Sequence, residues 1–514
     1  MSLTRKILSN TFWQIMGRVI NAIFAFISIG FLIHYWAHGN VAVGQAKYGT
    51  YVTIFEYIAI FASLADLGIF TIAVREMAKK TDEVQEIFSS ALTLRIVSLL
   101  FALAVASVIA YLIPAYQGTE IPYGVFIAGI GTGIFILSGT ISTIFLIHLK
   151  MKYQSFALVI GKIVTFALTL AIIFFFVPEP TEESFYQIIW TGVLGSAVTL
   201  IVTILYARKY VSLRPNKNIK LIRELFDMAI PFGIAIFLNT IYFRLDITMM
   251  GIILPHSDDA GICSAQFCGD IQTGIYAVAV RIVEVIVLVP IYFMNSVLPS
   301  LSHSAHEKNE KQLQGRLSLC FFFLLLISVP ASVGLYVLAK PIVELVTPEN
   351  FGSENALQIL SPLLLFIFFT TFFNFVLIAL GEQKKILWIN FGALLFNFLL
   401  NIYAIPKYGY IGASVTSLIS EVFILVWGTY FVFRHASFRV HFRQILGTIF
   451  ASFVMGFFAY FSWKYWGSSV GKTSLGIIIP LSVAVYTAML IASRAIDKTL
   501  LRLFKKQEEE EEED

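Results

Sequence analysis

Apolar stretches of bilayer length recur along the chain, and this recurrence constrains the fold more than any other feature. A helix needs about 20 apolar residues to cross the hydrocarbon core of a membrane. Of the 514 residues 58% are hydrophobic and 13% charged, against about a quarter charged in soluble domains. The sequence therefore predicts an all-α polytopic membrane protein with about fourteen transmembrane helices. The predicted segments are 12–36, 49–77, 88–113, 121–148, 154–177, 184–207, 225–253, 272–299, 317–339, 356–380, 385–405, 408–433, 445–466 and 473–493.

The first segment follows Arg5 and Lys6, as the apolar core of a secretory signal would. It is too long for such a core and lacks a small-residue cleavage site, so we read it as the first membrane helix. Three cysteines exclude a scaffold built on disulfides.

The distribution of Lys and Arg predicts the orientation. With the N-terminus in the cytoplasm, most of the 36 basic residues fall in cytoplasmic loops and helix ends. This asymmetry is the positive-inside pattern of membrane proteins. The sequence therefore predicts a multi-pass plasma-membrane protein with both termini cytoplasmic. The basic residues left in outer loops are Lys47, Lys340, Lys407, Lys464 and Lys472.

Two halves of the chain resemble each other. An offset of 225 positions superposes Gly49-Thr50-Tyr51 on Gly274-Ile275-Tyr276, and an offset of 231 superposes 146–149 on 377–380. Because six helices per repeat is an even number, the repeats run parallel, as in transporters whose halves rock against each other. The alternative, a repeat that only packs in lipid, stays open.

The repeat predicts two pseudo-symmetric six-helix lobes around a central cavity, followed by two C-terminal helices. The predicted parts are lobe 1–207, a basic cytoplasmic linker 208–224, lobe 225–433, a helix pair 434–496 and a charged cytoplasmic tail 497–514.

Ten charged residues lie within the apolar segments. Each charge at a helix centre costs about 2.5–3.5 kcal/mol, so ten facing lipid would cost on the order of 30 kcal/mol. Most must therefore face the protein interior or water. The ten are Arg18, Arg95, Lys162, Arg244 and Arg281, with Glu56, Asp66, Asp246, Glu284 and Glu421.

The basic residues are the candidates for binding an anionic substrate. Arg244 and Asp246 are two positions apart and point to nearly opposite sides of one helix, and we assign Arg244 to the cavity. Arg281 and Glu284 are spaced to pair on one face, so a structural ion pair is the alternative for Arg281. Arg18 and Lys162 complete the predicted binding set, although near helix ends their side chains can also reach the headgroups.

Asp66 is the first candidate for a coupling cation, Na⁺ or H⁺, with Glu56 and Asp246 as alternatives. Carboxylates within membrane segments often hold such ions. Asp66 stands in Leu64-Ala65-Asp66-Leu67-Gly68, where the glycine permits a bend. A role in capping that bend, or in pairing with Arg18 or Arg95, stays open.

Other signals are weaker. The glycines of 129–133 resemble a nucleotide loop, but within a helix they favour close packing. Cys263 and Cys268 in an outer loop could form a disulfide, and no zinc-site spacing is present, so we predict no metal site and no cofactor beyond the coupling cation. The acidic tail 508–514 is expected to be solvated.

Three stretches resemble a known family, and the likeness extends over most of the chain. Residues 397–414, NFLLNIYAIPKYGYIGAS, resemble the join of helices eleven and twelve in polysaccharide flippases. Residues 64–68 with Arg75-Glu76 resemble the end of the second helix there, and 230–246 the seventh. The chain resembles the O-antigen or lipid-linked-oligosaccharide branch of the multidrug/oligosaccharidyl-lipid/polysaccharide exporters.

The resemblance implies a flippase that moves an isoprenoid-diphosphate-linked oligosaccharide from the cytoplasmic to the outer leaflet by alternating access. It implies no enzyme activity and no nucleic-acid binding, and its partners would be membrane lipids and a glycan polymerase or glycosyltransferases. A cation-coupled multidrug exporter and a peptidoglycan-precursor flippase of the same fold stay open. A membrane glycosyltransferase would have only Asp258 and Asp259 as a metal pair, and a passive scaffold would need none of the buried arginines.

Overall fold

The computed structural model describes residues 3–216, 218–255, 268–307, 309–438 and 442–493. Within these ranges the chain is mostly helical and contains no strand, because a segment that crosses lipid meets no water and must satisfy its backbone polar groups internally. The outer-loop residues Asp258, Asp259 and Cys263 lie outside the described residues, as does the acidic tail.

The helices of the described ranges run in chain order from α1 to α17. They are α1 (Leu3–Ala37), α2 (Val41–Asp66), α3 (Ile69–Lys79), α4 (Val84–Leu112), α5 (Ile121–Ile141), α6 (Thr143–Ile147), α7 (Lys152–Ala171), α8 (Glu182–Ala207), α9 (Ile219–Ile253), α10 (Gly269–His306), α11 (Glu310–Val337), α12 (Ala339–Val346), α13 (Ser353–Ala379), α14 (Gln383–Phe433), α15 (Phe442–Ser462), α16 (Ser468–Val470) and α17 (Leu475–Ala492).

The helices confirm the predicted fold class. Within the described ranges, twelve stretches are long and apolar enough to cross a membrane. One of them is the 51-residue α14, in which Gly409 breaks the helical backbone between the predicted eleventh and twelfth segments. The two halves of α14, counted separately, bring the twelve stretches to thirteen. With α9, which is not among the twelve, the helices match the fourteen predicted segments.

The chain divides into two compact units. The first comprises 1–277 with 346–348, and the second 278–345 with 349–514. The division falls inside α10, whereas the repeat placed the boundary of the predicted lobes in the basic linker. In the first unit α2 packs against α1, α4, α5 and α9, so it is the central helix of that unit. In the second unit α11 packs against α13 and α15, and α13 against α14.

The predicted bend after Asp66 is present. α2 ends at Asp66, Leu67 and Gly68 both adopt left-handed backbone conformations (φ of 41° and 72°), and α3 begins at Ile69. The backbone of α9 crosses at this point, where a Cβ on Gly68 would lie 2.8 Å from the Cβ of Phe232. Glycine is required here both by the backbone angle and by the close approach of α9.

Residues that the internal repeat superposes also contact each other in the first unit. A Cβ on Gly49 would overlap the carbonyl oxygen of Asp270, and a Cβ on Gly274 would overlap that of Gln45. Position 274 lies 225 residues after position 49, and position 270 lies 225 residues after position 45. Such reciprocal contacts are those expected of elements related by a local twofold axis, and they agree with the offset found in the sequence.

The basic linker is held against α4 by its backbone. Gln85 accepts a hydrogen bond from the Ser212 amide and donates one to the Ser212 carbonyl oxygen, both at 2.8 Å. The Asn216 amide donates to the hydroxyl of Thr93 at 3.0 Å. The helix that follows begins at Ile219, so the connection between α8 and α9 is shorter than the predicted 208–224.

Candidate functional site

Arg244 and Glu56 form an ion pair between α9 and α2. The Nη1 atom of Arg244 donates to both carboxylate oxygens of Glu56, at 2.8 and 2.6 Å. The Glu56 side chain is 2% exposed and that of Arg244 is 28% exposed. The carboxylate is therefore enclosed by the protein, while an incoming anion would meet the guanidinium first.

Asp246, two positions further along α9, contacts a different helix. Its Oδ2 atom accepts a hydrogen bond of 2.9 Å from the hydroxyl of Tyr276, in the first turns of α10. Residues two apart on a helix point in nearly opposite directions, and the two partners follow that rule. Arg244 and Asp246 thus each join α9 to a neighbouring helix.

Asp66 and Arg95 form a second ion pair, at the end of α2. The Nη2 atom of Arg95 donates to Asp66, Nη1 donates to the carbonyl oxygen of Ala65 at 3.1 Å, and Nε donates to the Thr140 hydroxyl at 2.8 Å. The Arg95 side chain is 2% exposed and that of Asp66 is 28% exposed. Of the alternatives that the sequence left for Asp66, the structure contains the pair with Arg95.

Arg281 and Glu284 lie in the second unit, on α10. Their side chains form the ion pair that the spacing allows, with Nη1 2.6 Å from Oε2. Both are partly exposed, at 30% and 38%. The guanidinium is therefore partly accessible from outside the pair.

The remaining candidates of the binding set, Arg18 and Lys162, lie apart from the Arg244–Glu56 pair. Arg18 is exposed on the surface of α1. Lys162 is half-buried on α7 and lines a cavity to which neither Arg244 nor Glu56 contributes. The structure thus joins Arg244 to Glu56 and places Lys162 at a separate site of the first unit.

The second unit contains buried polar side chains in hydrogen bonds, and of these the charge survey of the sequence identified only Glu421. Thr370 donates a hydrogen bond to Glu421, which is buried. On α14, Thr416 donates to the side-chain oxygen of Asn401 at 2.5 Å, and Asn401 donates to Asn397 at 2.9 Å. The two asparagines are uncharged, so a search for charges in apolar segments passes over them, although their four-residue spacing on a helix was the available signal.

The glycines of 129–133 have the packing role predicted for them. A Cβ on Gly131 would lie 3.3 Å from the Cα of Val193 on α8, and one on Gly133 would lie 2.8 Å from Leu103 on α4. They are helix-packing residues that let α5 approach both neighbours closely.

Comparison with known families identifies the chain. Residues 7–305, more than half of the sequence, match the family model described as polysaccharide biosynthesis protein. The chain belongs to this family. Residues 261–403 match the MatE family model.

Solved structures share the fold of this polysaccharide biosynthesis family member at low identity. The lipid II flippase MurJ in an inward closed conformation matches with a TM-score of 0.71 and 16% identity, covering 95% of this chain and 99% of that one. An inward-facing multidrug resistance MATE family transporter matches with 0.60 and 12%, covering 80% and 95%. A superfamily transporter from Pyrococcus furiosus matches with 0.53 and 15%, covering 84% and 94%. No curated protein sequence matches the chain.

Proposed function

We propose that this family member is a flippase that moves an isoprenoid-diphosphate-linked oligosaccharide from the cytoplasmic to the outer leaflet by cation-coupled alternating access. The observation that carries the proposal is the Arg244–Glu56 pair. In this pair a part-exposed guanidinium contacts a buried carboxylate between two long helices. The chain that contains it belongs to the polysaccharide biosynthesis protein family. A charge in such a position is a functional feature by default, because it is costly to keep there.

The chemistry of the cargo fits this pair. A guanidinium presents a planar fork of N–H donors that binds phosphate oxygens in a bidentate manner. A diphosphate can therefore compete with the Glu56 carboxylate for Arg244, while the isoprenoid chain remains among the lipid tails. Arg281 is a second part-exposed guanidinium for the same role. Arg18 and Lys162 are further positively charged contacts for the cargo during its movement across the membrane.

The coupling cation, Na⁺ or H⁺, is assigned to Asp66 in this proposal, with Glu56 and Asp246 as alternatives. Asp66 is the part-exposed member of its pair, so its carboxylate is more accessible to a cation than the Arg95 guanidinium is. When the cation neutralises Asp66, the attraction that holds α2 to α4 at this point weakens. This links cation binding to the packing of the central helix of the first unit.

The test is transbilayer movement of a lipid-diphosphate oligosaccharide in proteoliposomes. We expect Arg281→Ala to slow movement, and the double variant Arg244→Ala/Glu56→Gln to slow it by tenfold or more. The double variant is used because Arg244→Ala alone would remove the guanidinium that faces a buried carboxylate. Arg75→Ala, which removes a more exposed arginine of the same unit, is the control and should move cargo as the wild type does.

Three results would contradict the proposal in different ways. Equal movement by all variants would remove the site assignment. Efflux of a cationic dye by the wild type, without movement of the oligosaccharide, would favour a multidrug exporter. Faster movement of lipid II than of the oligosaccharide would favour a peptidoglycan-precursor flippase, to whose fold the structure is similar.

The cation assignment has its own test. The double variant Asp66→Asn/Arg95→Met removes both charges of the pair and so strands neither one. We expect it to bind cargo but to lose the dependence of transport on a Na⁺ or H⁺ gradient. A gradient dependence equal to that of the wild type would exclude Asp66 and transfer the role to Glu56 or Asp246.

A further inference from the structure

The first unit contains a partly open cavity of about 280 Å³ lined by residues of α1, α2, α5, α7 and α8. Arg244, Glu56 and Asp66 do not line it, so it is distinct from both ion pairs. Its wall combines aromatic and small residues with several polar side chains. The polar groups that matter are Asn21, Thr132, Lys162 and Ser196.

Lys162 brings a positive charge to this wall without a compensating acid. The cavity is lined by no Asp or Glu, and in the described part of the chain the amine makes no ion pair or hydrogen bond. Lys162 lies ten positions after Lys152, where α7 begins, which corresponds to about 15 Å along the helix axis. An amine at that depth is costly unless an anion or a set of acceptors balances it.

The neighbouring polar groups are also available to a ligand. Asn21, Thr132 and Ser196 are half-buried, and the described residues supply no hydrogen bond to their side chains. They offer an amide and two hydroxyl donors beside the amine. By contrast, the hydroxyls of Thr165 and Thr199 donate to the carbonyl oxygens of Gly161 and Gly195, at 3.1 and 3.0 Å.

Glycines give this wall its shape. α7 and α8 cross at Gly161 and Gly195, and a Cβ on either glycine would lie 2.6 Å from the carbonyl oxygen of the other. The two backbones therefore meet directly, and the polar groups of the wall are held on a rigid crossing rather than on a loop. A site on packed helices keeps its donors in fixed positions.

We propose that this cavity binds a small anion of the phosphate or carboxylate class, with the Lys162 amine as its counter-charge and the Asn21 amide and the Ser196 and Thr132 hydroxyls as donors. The volume of about 280 Å³ is ample for one such group and lies just below the range of about 300–1,000 Å³ for drug-sized ligands. The anion is either an acidic group of the cargo or a free anion of the cell. Only the first of these sources rests on the proposed flippase function.

Binding of labelled inorganic phosphate to the purified full-length protein tests the site. We expect saturable binding by the wild type, at least tenfold weaker binding by Lys162→Met, and several-fold weaker binding by Ser196→Ala. Lys152→Met makes the same substitution at the exposed start of the same helix and should bind as the wild type does. Absence of saturable binding by the wild type, or equal binding by Lys162→Met, would overturn the proposal.

A competition arm separates the two sources. Displacement of phosphate by a micellar isoprenyl diphosphate would identify the bound group as part of the cargo, whereas phosphate that remains bound would identify a free anion. Both results retain the site. The Arg244→Ala/Glu56→Gln variant removes the phosphate contact proposed at Arg244 but changes no residue that lines this cavity. Phosphate binding that still depends on Lys162 in this variant therefore belongs to the cavity, so a failure of the flippase assignment and a failure of this site give different results.

Discussion

Two arginine–carboxylate pairs on α2 use the same groups with opposite exposure. In the Asp66–Arg95 pair the arginine is enclosed and the carboxylate is partly exposed. In the Glu56–Arg244 pair the carboxylate is enclosed and the arginine is partly exposed. An accessible carboxylate suits a cation and an accessible guanidinium suits an anion, so the exposed member of each pair indicates what kind of ligand it can take.

Which partner is exposed also determines how much the protein is destabilised when that partner is removed. Removing the exposed partner leaves a charge in the protein interior without its counter-charge, which costs far more than removing the enclosed partner and leaving the other partly exposed. Arg95 additionally donates to Ala65 and Thr140, so its orientation is fixed by three groups. The comparison therefore predicts that, within each pair, substituting the exposed partner destabilises the protein more than substituting the enclosed partner.

The largest expected effect is that of Asp66→Asn, which leaves the Arg95 charge buried. We expect it to lower the free energy of unfolding by about 3–5 kcal/mol. The measurement is reversible unfolding in detergent or bilayer micelles. Adding Arg95→Met to Asp66→Asn should recover part of the loss, because the stranded charge is then gone. Glu56→Gln removes the enclosed partner of its pair and leaves the part-exposed Arg244, so it should destabilise less. Equal destabilisation by Asp66→Asn and Glu56→Gln would contradict the comparison.

A smaller effect is expected for Gly68→Ala, which acts on the bend that ends α2 at Asp66. The left-handed backbone and the contact with Phe232 should together cost about 1–3 kcal/mol. Gly39→Ala is the matched control, since Gly39 has a φ of 86° but open space around its Cβ position. It therefore reports the backbone strain alone, and thermal unfolding of the two variants gives the contact term by difference. A Gly68→Ala variant no less stable than Gly39→Ala would show that α9 yields at this crossing.

The smallest effect concerns a third pair on α2, between Lys47 and Glu120. Here too the carboxylate is the less exposed partner, at 15% against 31% for the lysine. Burial raises the pKa of Glu120 above its ordinary value of 4.5, and Lys47 offsets only part of that shift. The folded state therefore holds this proton more tightly than the unfolded state, and stability falls as pH rises from about 4.5 through the raised pKa.

Glu120→Gln should remove this decline with pH. The midpoint of thermal unfolding, measured from pH 4 to pH 7, would then fall less steeply in the variant than in the wild type. A steeper decline in the variant would mean that Lys47 lowers the pKa of Glu120 more than burial raises it.

The sequence identified the members of the two arginine–carboxylate pairs of α2, and for Asp66 it left the partner open between Arg18 and Arg95. It singled out Glu56, Asp66, Arg95 and Arg244 by their charge in apolar segments, and it located the bend at Gly68 from one glycine. Which arginine meets which carboxylate depends on contacts between helices far apart in sequence, such as α9 against α2. Hydropathy describes each segment alone and carries no information on those contacts.

By itself the sequence determined the all-helical membrane fold, because only helices with internally bonded backbones satisfy long apolar stretches in lipid. It also determined the repeat, whose offset of 225 reappears in the reciprocal contacts of Gly49 and Gly274. Tertiary structure alone decided which member of each ion pair is exposed and that Lys162 shares a cavity with Asn21, Thr132 and Ser196. Exposure and cavity walls arise where several helices pack, and packing depends on the shapes of side chains from distant segments.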